Sequence, residues 1–279
     1  MHRPSFHEIT MKGFTKGTVC SIAVLSFVAL ALGISTHADA GMITDDFNVA
    51  HDYSGGNVAG TIWDGIRYDE GNISGVVANA NTTSAGQLYF ESANGEWSAA
   101  DHDGLLLYKN VAGDFVADVQ ATSATNGNYN GVGLMARLAD PAADGDAGED
   151  WMFLSYSTRF SQNRVRKVDN SANTQILAAS EQPFLQIERL GDVFIFRRKA
   201  NAGDVWAQID LVTRADLNGL ALQVGIWQAD FDSIADSGTL DNFSLSGPNV
   251  GGSGGAVPEP AALLLALLGL ALLPRRRRR

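Results

Sequence analysis

The 279-residue sequence is poor in the side chains from which many catalytic and metal centres are built. It has one cysteine, Cys20, and five histidines, of which only His51 and His102 lie in residues 41–256. Cys20 belongs to an apolar segment near the N-terminus. The rest of the chain therefore has no thiol for a disulfide, a zinc–thiolate site or a cysteine nucleophile. Two histidines leave little material for a histidine-rich metal site or a histidine-based triad.

Positive charge is also scarce away from the ends of the chain. Of 20 lysines and arginines, eight lie in residues 1–40 and 257–279, where only three of the 31 acidic residues lie. Residues 41–256 therefore hold 28 acids and 12 bases, a net charge of −16. A field of this sign repels a phosphate backbone, so no nucleic-acid partner is predicted, and it attracts divalent cations.

The first 40 residues have the three parts of a secretory signal peptide. Met11 to Lys16 is a short basic region, and residues 19–34 are almost wholly apolar. Small residues then occupy the two positions that signal peptidase reads, Ala38 and Ala40. We predict export through the Sec machinery and cleavage between Ala40 and Gly41. A retained membrane helix is the alternative.

The C-terminal segment is tripartite as well. After a glycine-rich spacer over residues 247–256, the chain has the motif Val257, Pro258, Glu259, Pro260, then an apolar run over residues 261–273 and a tail of arginines over residues 275–279. As a helix the run spans about 20 Å at roughly 1.5 Å per residue, short of a ~30 Å hydrocarbon core. The arginines favour a cytoplasmic C-terminus. A helix this short suits a transient processing signal better than a permanent transmembrane helix.

These parts resemble, in order, the PEP-CTERM sorting signal. The resemblance implies recognition by an exosortase, transient anchoring in the inner membrane, and removal of the tail. It further implies delivery to the cell surface or the exopolysaccharide matrix of a Gram-negative bacterium. The predicted organisation is a signal peptide at 1–40, one domain at 41–246, a linker at 247–256 and a sorting signal at 257–279.

Residues 41–246 have the pattern of an all-β sandwich. Short runs of alternating apolar and polar residues recur between segments rich in glycine, asparagine, aspartate and serine, and no run keeps a helical period. Gly191-Asp192 is predicted to form a two-residue hairpin turn with positive φ at the glycine. The clearest predicted strands are 115–121, 132–138, 151–157, 184–190, 193–199 and 220–227.

Alternation divides each strand into a core face and an outer face, because successive side chains point to opposite sides of a sheet. Most of the polar side chains of these strands lie at the alternate positions that point to the outer face. The predicted core positions are Phe115, Ala117, Val119, Val132, Leu134, Ala136, Leu138, Leu222, Val224 and Ile226.

The opening residues 43–47, the strand that ends at Arg137, the hairpin from Ile187 to Trp206 and the closing residues 240–245 resemble the concanavalin A-like lectin and glucanase superfamily. The resemblance implies a two-sheet antiparallel jelly-roll sandwich in which the first and last strands pair. Members include lectins, laminin-G-like modules, accessory domains of glycosidases and some glycosidases.

No motif of a catalytic centre is found in the sequence. Glucanases of the superfamily that this sequence resembles carry a Glu-x-Asp-x-Glu strand, which puts their carboxylates on one face of the sheet. Here Glu149 and Asp150 are adjacent, so they point to opposite faces. We favour a non-catalytic domain that binds extracellular polysaccharide. A glycan-cleaving enzyme with carboxylates far apart in sequence, and a purely structural surface protein, are the alternatives.

The predicted glycan site is a polar outer face. Arginine and glutamine can make paired hydrogen bonds to neighbouring hydroxyls, a carboxylate can accept one, and tryptophan offers a surface for a sugar ring. Most of the five tryptophans are expected in the core. The predicted contact residues, each opposite in parity to a core set, are Asp118, Gln120, Arg137, Gln186, Glu188, Gln223 and Trp227.

Two groups of acids suggest a structural calcium ion, which prefers oxygen ligands. Asp45 and Asp46 on the first strand and Asp241 on the last would share an ion where the two strands pair. Ordinary strand-end acids facing water are the alternative. The second group is the loop 140–150, with five acids beside glycines, for which a charged surface turn is the alternative. No other cofactor is predicted.

Overall fold

The computed structural model describes residues 41–68, 72–98, 103–125, 131–140, 142–145, 148–170, 172–231 and 233–250. The predicted signal peptide with Ala40, the sorting motif from Val257 to Pro260 and the apolar run after it lie outside these residues. Within the described ranges, no helix has the length and apolar character needed to span a bilayer.

The described residues form sixteen strands and two single-turn 3-10 helices. The helices are η1 (Ser54–Gly56) and η2 (Ala215–Leu217). In chain order the strands are β1 (Gly41–Asp45), β2 (His51–Asp52), β3 (Gly65–Arg67), β4 (Ser74–Ala80), β5 (Leu88–Ala93), β6 (Leu105–Ala112), β7 (Phe115–Ala124), β8 (Gly131–Leu138), β9 (Trp151–Ser157), β10 (Gln162–Asp169), β11 (Ala172–Ala179), β12 (Phe184–Leu190), β13 (Val193–Lys199), β14 (Ala207–Thr213), β15 (Ala221–Ala229) and β16 (Asp236–Gly247).

The strands form two antiparallel sheets. A nine-stranded sheet has the order β14-β13-β12-β7-β16-β5-β4-β2, with β1 also paired to β16. A seven-stranded sheet has the order β11-β10-β9-β8-β15-β6-β3. This confirms the predicted all-β, two-sheet antiparallel jelly-roll sandwich. The first and last strands pair as predicted, with Gly41 opposite Gly247 and Asp45 opposite Phe243.

The alternation in the sequence located the strands well. The predicted strands 151–157, 184–190 and 193–199 have the same bounds in the structure. β7 and β15 extend three and two residues beyond their predicted C-terminal ends, β8 begins one residue before its prediction, and β15 begins one residue later than predicted. Gly191 adopts the predicted positive φ of 63° in the turn between β12 and β13.

The hydrophobic core lies between the two sheets. All ten predicted core positions belong to it, and none of them is more than 2% exposed. Larger rings complete this core, among them Phe47, Phe90, Phe194, Phe196 and Phe243. The alternating pattern therefore identified the inner face of each central strand correctly.

The packed domain continues past the predicted boundary at residue 246. β16 ends at Gly247, and Val250 is 4% exposed and packs in the core. The Asn249 side-chain amide also donates a hydrogen bond to the carbonyl of Ala112 over 2.9 Å. The first four residues of the predicted linker are therefore part of the sandwich.

Candidate functional site

The seven predicted glycan-contacting residues lie on two different faces. β7 and β12, which carry four of them, are in the nine-stranded sheet, whereas β8 and β15, which carry the other three, are in the seven-stranded sheet. The sheets pack through their inner faces, so their outer faces lie on opposite sides of the sandwich. The structure brings together Asp118, Gln120, Gln186 and Glu188 on one face, and Arg137, Gln223 and Trp227 on the other.

The outer face of the seven-stranded sheet carries a row of four aromatic rings, here called the aromatic face. Trp97 and Trp151 meet edge to face with centroids 6.0 Å apart, and Trp151 stacks on Phe153 at 5.3 Å. Phe153 in turn stacks on Trp227 at 4.1 Å. These rings are at most 1% exposed, so the aromatic face is a second hydrophobic core. Leu106, Met135, Val168 and Ala229 complete it.

Arg137 is buried beside this cluster in a charged network. Its Nε and Nη2 donate to the two carboxylate oxygens of Glu149 over 2.9 and 2.8 Å, and its Nη1 donates to Oε1 of Gln223 over 2.9 Å. Arg137 is 2% exposed and Glu149 and Gln223 are 9% exposed. A paired fork of this kind fixes both side chains. Three of the five N–H donors of Arg137 are thus engaged within the protein, and the side chain is buried.

Three buried indole N–H groups on the aromatic face have no hydrogen-bond acceptor among the described residues: those of Trp97, Trp151 and Trp227. Each such donor costs about 1–3 kcal/mol relative to a paired one. Arg166 closes part of the face, because its guanidinium lies over the Trp151 ring and donates to the carbonyl of Trp97 over 2.8 Å. Trp227 therefore has the predicted parity but offers no open surface to a sugar ring.

The outer face of the nine-stranded sheet is polar and half-buried, with Gln186 at its centre only 7% exposed. We call it the polar face and define it by Asp118, Gln120, Gln186, Glu188, Arg197 and Lys199. The strand register places its side chains in three rows that run from β7 through β12 to β13: Gln120, Phe184 and Lys199; Asp118, Gln186 and Arg197; Val116, Glu188 and Ile195.

Hydrogen bonds join the middle row of the polar face into a ladder. Gln186 donates from Nε2 to Oδ1 of Asp118 over 2.8 Å and accepts from Arg197 Nη1 over 2.6 Å. The other oxygen of Asp118 accepts from the Ser244 hydroxyl over 3.2 Å, and Arg197 also forms an ion pair with Glu188 at 2.5 Å. Burial raises the pKa of Asp118, against the lowering effect of the Gln186 and Ser244 hydrogen bonds.

An aromatic edge borders the polar face. The ammonium of Lys199 lies 4.4 Å from the ring centroid of Trp206 and 5.5 Å from that of Phe184. Trp206 is half-buried, whereas the other four tryptophans are at most 4% exposed. Arg197, Lys199 and Trp206 were not among the predicted contact residues. Arg197 and Lys199 have the outer parity of β13, which was the available signal.

The acids near the paired chain ends are engaged locally. Asp45 accepts from the Phe47 N–H and from the Trp63 indole over 2.9 and 3.0 Å, and burial raises the pKa of Asp45. Asp46 accepts from Asn48 and Asp241 from Asn242. A cleft of about 470 Å³ opens beside Asp45 and Asp46. The calcium ion shared by Asp45, Asp46 and Asp241 stays a prediction.

Elsewhere three carboxylates do converge. Asp144 from the β8–β9 connection, Asp150 just before β9 and Asp216 in η2 offer ligand oxygens that all lie within 4.8 Å of one another. In the part of the chain that the structure describes, this is the only such group of three or more acidic, histidine or cysteine side chains. Asp150 and Glu149 point away from each other, as their adjacency predicted: one contacts Arg214 and the other Arg137.

Comparisons with known proteins concern the fold and name no family. No protein-family model matches the sequence, and no curated protein matches it. Similar solved structures include a functionally unknown protein from Saccharomyces cerevisiae, with 16% identity and a TM-score of 0.50 over 63% of this chain and 92% of that chain. The GH43 protein BlXynB from Bacillus licheniformis has 13% identity and a TM-score of 0.49 over 72% of this chain and 38% of its own. The laminarinase catalytic domain from Thermotoga maritima has 8% identity and a TM-score of 0.48 over 75% and 98%.

Proposed function

We propose that this protein is an exported, non-catalytic β-sandwich that binds extracellular polysaccharide through its polar face. The observation that carries the proposal is the ladder of Asp118, Gln186 and Arg197 beside the half-buried ring of Trp206. Asp118 and Arg197 keep hydrogen-bonding capacity beyond the bonds of the ladder, because each carboxylate oxygen has a second lone pair and a guanidinium has five N–H donors, and glycan hydroxyls could use that capacity.

The polar face is organised before any ligand arrives. Its side chains stand on paired strands and are fixed by one another, so little conformational entropy is lost when a ligand orders them. Trp206 supplies an apolar ring at the edge of the polar face, where the ammonium of Lys199 from the neighbouring row lies 4.4 Å from the ring centroid. The aromatic face has more rings, but they are buried and cannot contact a sugar. Binding is therefore assigned to the nine-stranded sheet.

A glycan-cleaving enzyme is the second candidate, favoured by two carboxylates on the polar face, one of them with a raised pKa. Their contacts argue against it. Asp118 accepts hydrogen bonds at both oxygens, from Gln186 and Ser244, and Glu188 is held by Arg197. Neither has the open acid or nucleophile position that hydrolysis needs. Release of reducing sugar that disappears in Asp118→Asn would favour the enzyme.

The glycan proposal is tested on the secreted protein with a glycan array, followed by affinity electrophoresis in the polysaccharides that bind. We expect Trp206→Ala and Gln186→Ala each to weaken retention by about tenfold, the effect of losing a central contact worth ~1.4 kcal/mol. The matched control is Phe160→Ala, because Phe160 is an exposed ring with Arg159 over it at 5.6 Å on the β9–β10 turn.

Unchanged retention in both polar-face variants, with the fold intact, would show that this face is not the site. If no glycan binds at all, the remaining role is that of a structural surface protein.

We further propose that an exosortase sorts the protein to the cell surface or the exopolysaccharide matrix. Support comes from the two terminal segments of the sequence, with their signal-peptide pattern and their Pro258-Glu259-Pro260 motif. Cleavage between Ala40 and Gly41 would also leave the fold whole, because β1 begins at Gly41 and its ladder with β16 is complete from that residue onward.

A further inference from the structure

We propose that Asp144, Asp150 and Asp216 bind a divalent cation, calcium by its ligand chemistry, at the end of the sandwich where three connections meet. These residues are brought together only by the fold, because Asp216 follows β14 whereas the other two precede β9. Their ligand oxygens lie within 4.8 Å of one another, the separation expected for oxygens around one ion with bonds of about 2.3–2.6 Å.

The strongest observation is an unmatched oxygen on Asp150. This residue is 0% exposed, and its Oδ1 accepts from the Asn170 N–H over 3.2 Å and from Arg214. Its Oδ2 is buried and has no hydrogen-bond partner among the residues that the structure describes. A buried carboxylate oxygen normally has a donor or a metal ion as its partner. A cation at the meeting point of the three acids supplies that partner.

The local charge leads to the same conclusion. Arg214 is divided between Asp150 and Asp216, with two hydrogen bonds from Nε and one from Nη2 to Asp216, and Asp169 lies 3.8 Å away. Asp150 and Asp216 thus share a single guanidinium, and the carboxylate of Asp144 lies in the same group. A divalent cation would balance this charge.

The surroundings suit calcium better than a softer metal. The group contains only carboxylate ligands, and hard oxygen ligands select calcium or magnesium. Asp216 is partly exposed and Asp144 half-buried, which leaves room for water in the coordination shell. Magnesium demands a near-ideal octahedron, whereas calcium tolerates irregular ligand sets from loops. The β8–β9 and β10–β11 connections approach closely here, since a Cβ on Gly148 would lie 2.3 Å from Asn170 Oδ1.

The experiment is terbium luminescence and calcium competition on the secreted protein. Trp151 directly follows Asp150 and is a suitable sensitiser. We expect calcium to displace terbium with a dissociation constant of about 10⁻⁴–10⁻³ M, the range of extracellular modules. We also expect about 10 mM calcium to raise Tm by roughly 4 °C or more. No calcium effect at that concentration, or displacement by magnesium but not calcium, would overturn the proposal.

Variants separate this site from other acids. Asp144→Asn is the main variant, because Asp150→Asn removes a buried partner of Arg214 and is prone to unfolding. We expect Asp144→Asn to weaken calcium binding by about tenfold or more. Asp169→Asn, beside Arg214 but outside the group, and Asp46→Asn, at the paired chain ends, are the controls and should retain binding. Normal binding in Asp144→Asn, or its loss in Asp46→Asn, would refute this assignment.

Discussion

The pair between Arg137 and Glu149 allows a quantitative test of the conclusion that the aromatic face is structural. In Arg137→Met the side chain keeps its aliphatic volume but loses the guanidinium. Glu149 then loses two charge-assisted hydrogen bonds of 2.8 and 2.9 Å, and Gln223 loses one of 2.9 Å. Removing one partner of a buried ion pair costs about 3–5 kcal/mol, because the other charge stays buried without compensation.

Urea unfolding followed by tryptophan fluorescence measures this cost. For an m-value of about 2–3 kcal/mol/M, the midpoint should fall by about 1–2 M. The matched control is Arg159→Met, an exposed arginine whose loss should change stability by about 0.5 kcal/mol or less. Adding Glu149→Leu to Arg137→Met should recover part of the loss, because it removes the uncompensated charge. A cost below about 1 kcal/mol for Arg137→Met would refute the reasoning.

Four further outcomes are expected. Trp227→Ala should cost about 3–5 kcal/mol in the same unfolding assay and leave glycan retention unchanged, because the ring is buried against its neighbours; a fully stable variant would contradict this. Burial places the folded-state pKa of Asp118 above its unfolded value, so the folded state binds more protons just above the ordinary pKa, and stability falls as pH rises through that window. Asp118→Asn should remove this fall in a pH series of unfolding curves, and an unchanged slope would count against it. Intact-mass analysis of the secreted protein should place its N-terminus at Gly41, not within the apolar segment. Pro258→Ala combined with Pro260→Ala should trap a longer, membrane-bound form, and normal release would argue against sorting by this motif.

The inner faces of the strands were predictable because alternation is a local property. Phe115 and Val119, or Val224 and Ile226, are apolar at every second position, and that parity alone places them between the sheets. The bounds of β9, β12 and β13 follow from the same pattern. Alternation does not predict to which of the two sheets each strand belongs. β7 and β8 are neighbours in sequence but lie in different sheets, which divided the predicted glycan site.

Outer parity was also taken to mean exposure, but on the seven-stranded sheet the outer positions Met135, Arg137 and Trp227 are at most 2% exposed. β12 alternates over residues 185–188, with Gln186 and Glu188 at the outer parity, as expected for a strand with one polar face. β6 begins with three leucines at residues 105–107, and β9 with four apolar residues at 151–154. Continuous apolar runs are typical of strands covered on both sides. This signal marked the aromatic face as a second core.

The acid cluster needed the fold itself. The loop from Asp140 to Asp150 was recognisable by composition, but composition does not say which acids turn inward. Asp216 stands in a different connection and is drawn to Asp150 through Arg214, which contacts both. No spacing rule links residues so far apart. Only the convergence of three connections identifies the group.

Because β1 pairs with β16, the first and last strands of the domain lie side by side. Gly41 and Gly247 are cross-strand partners, and Cα atoms of such partners lie only ~4.5–5.5 Å apart. A linker of a few residues would therefore join the ends without disturbing either sheet. The exposed turn from Asn201 to Asp204, between β13 and β14, is a suitable place for new ends. For the same reason the whole sandwich can be inserted into a surface loop of another protein. The two ends of that loop would not have to move apart to accept it.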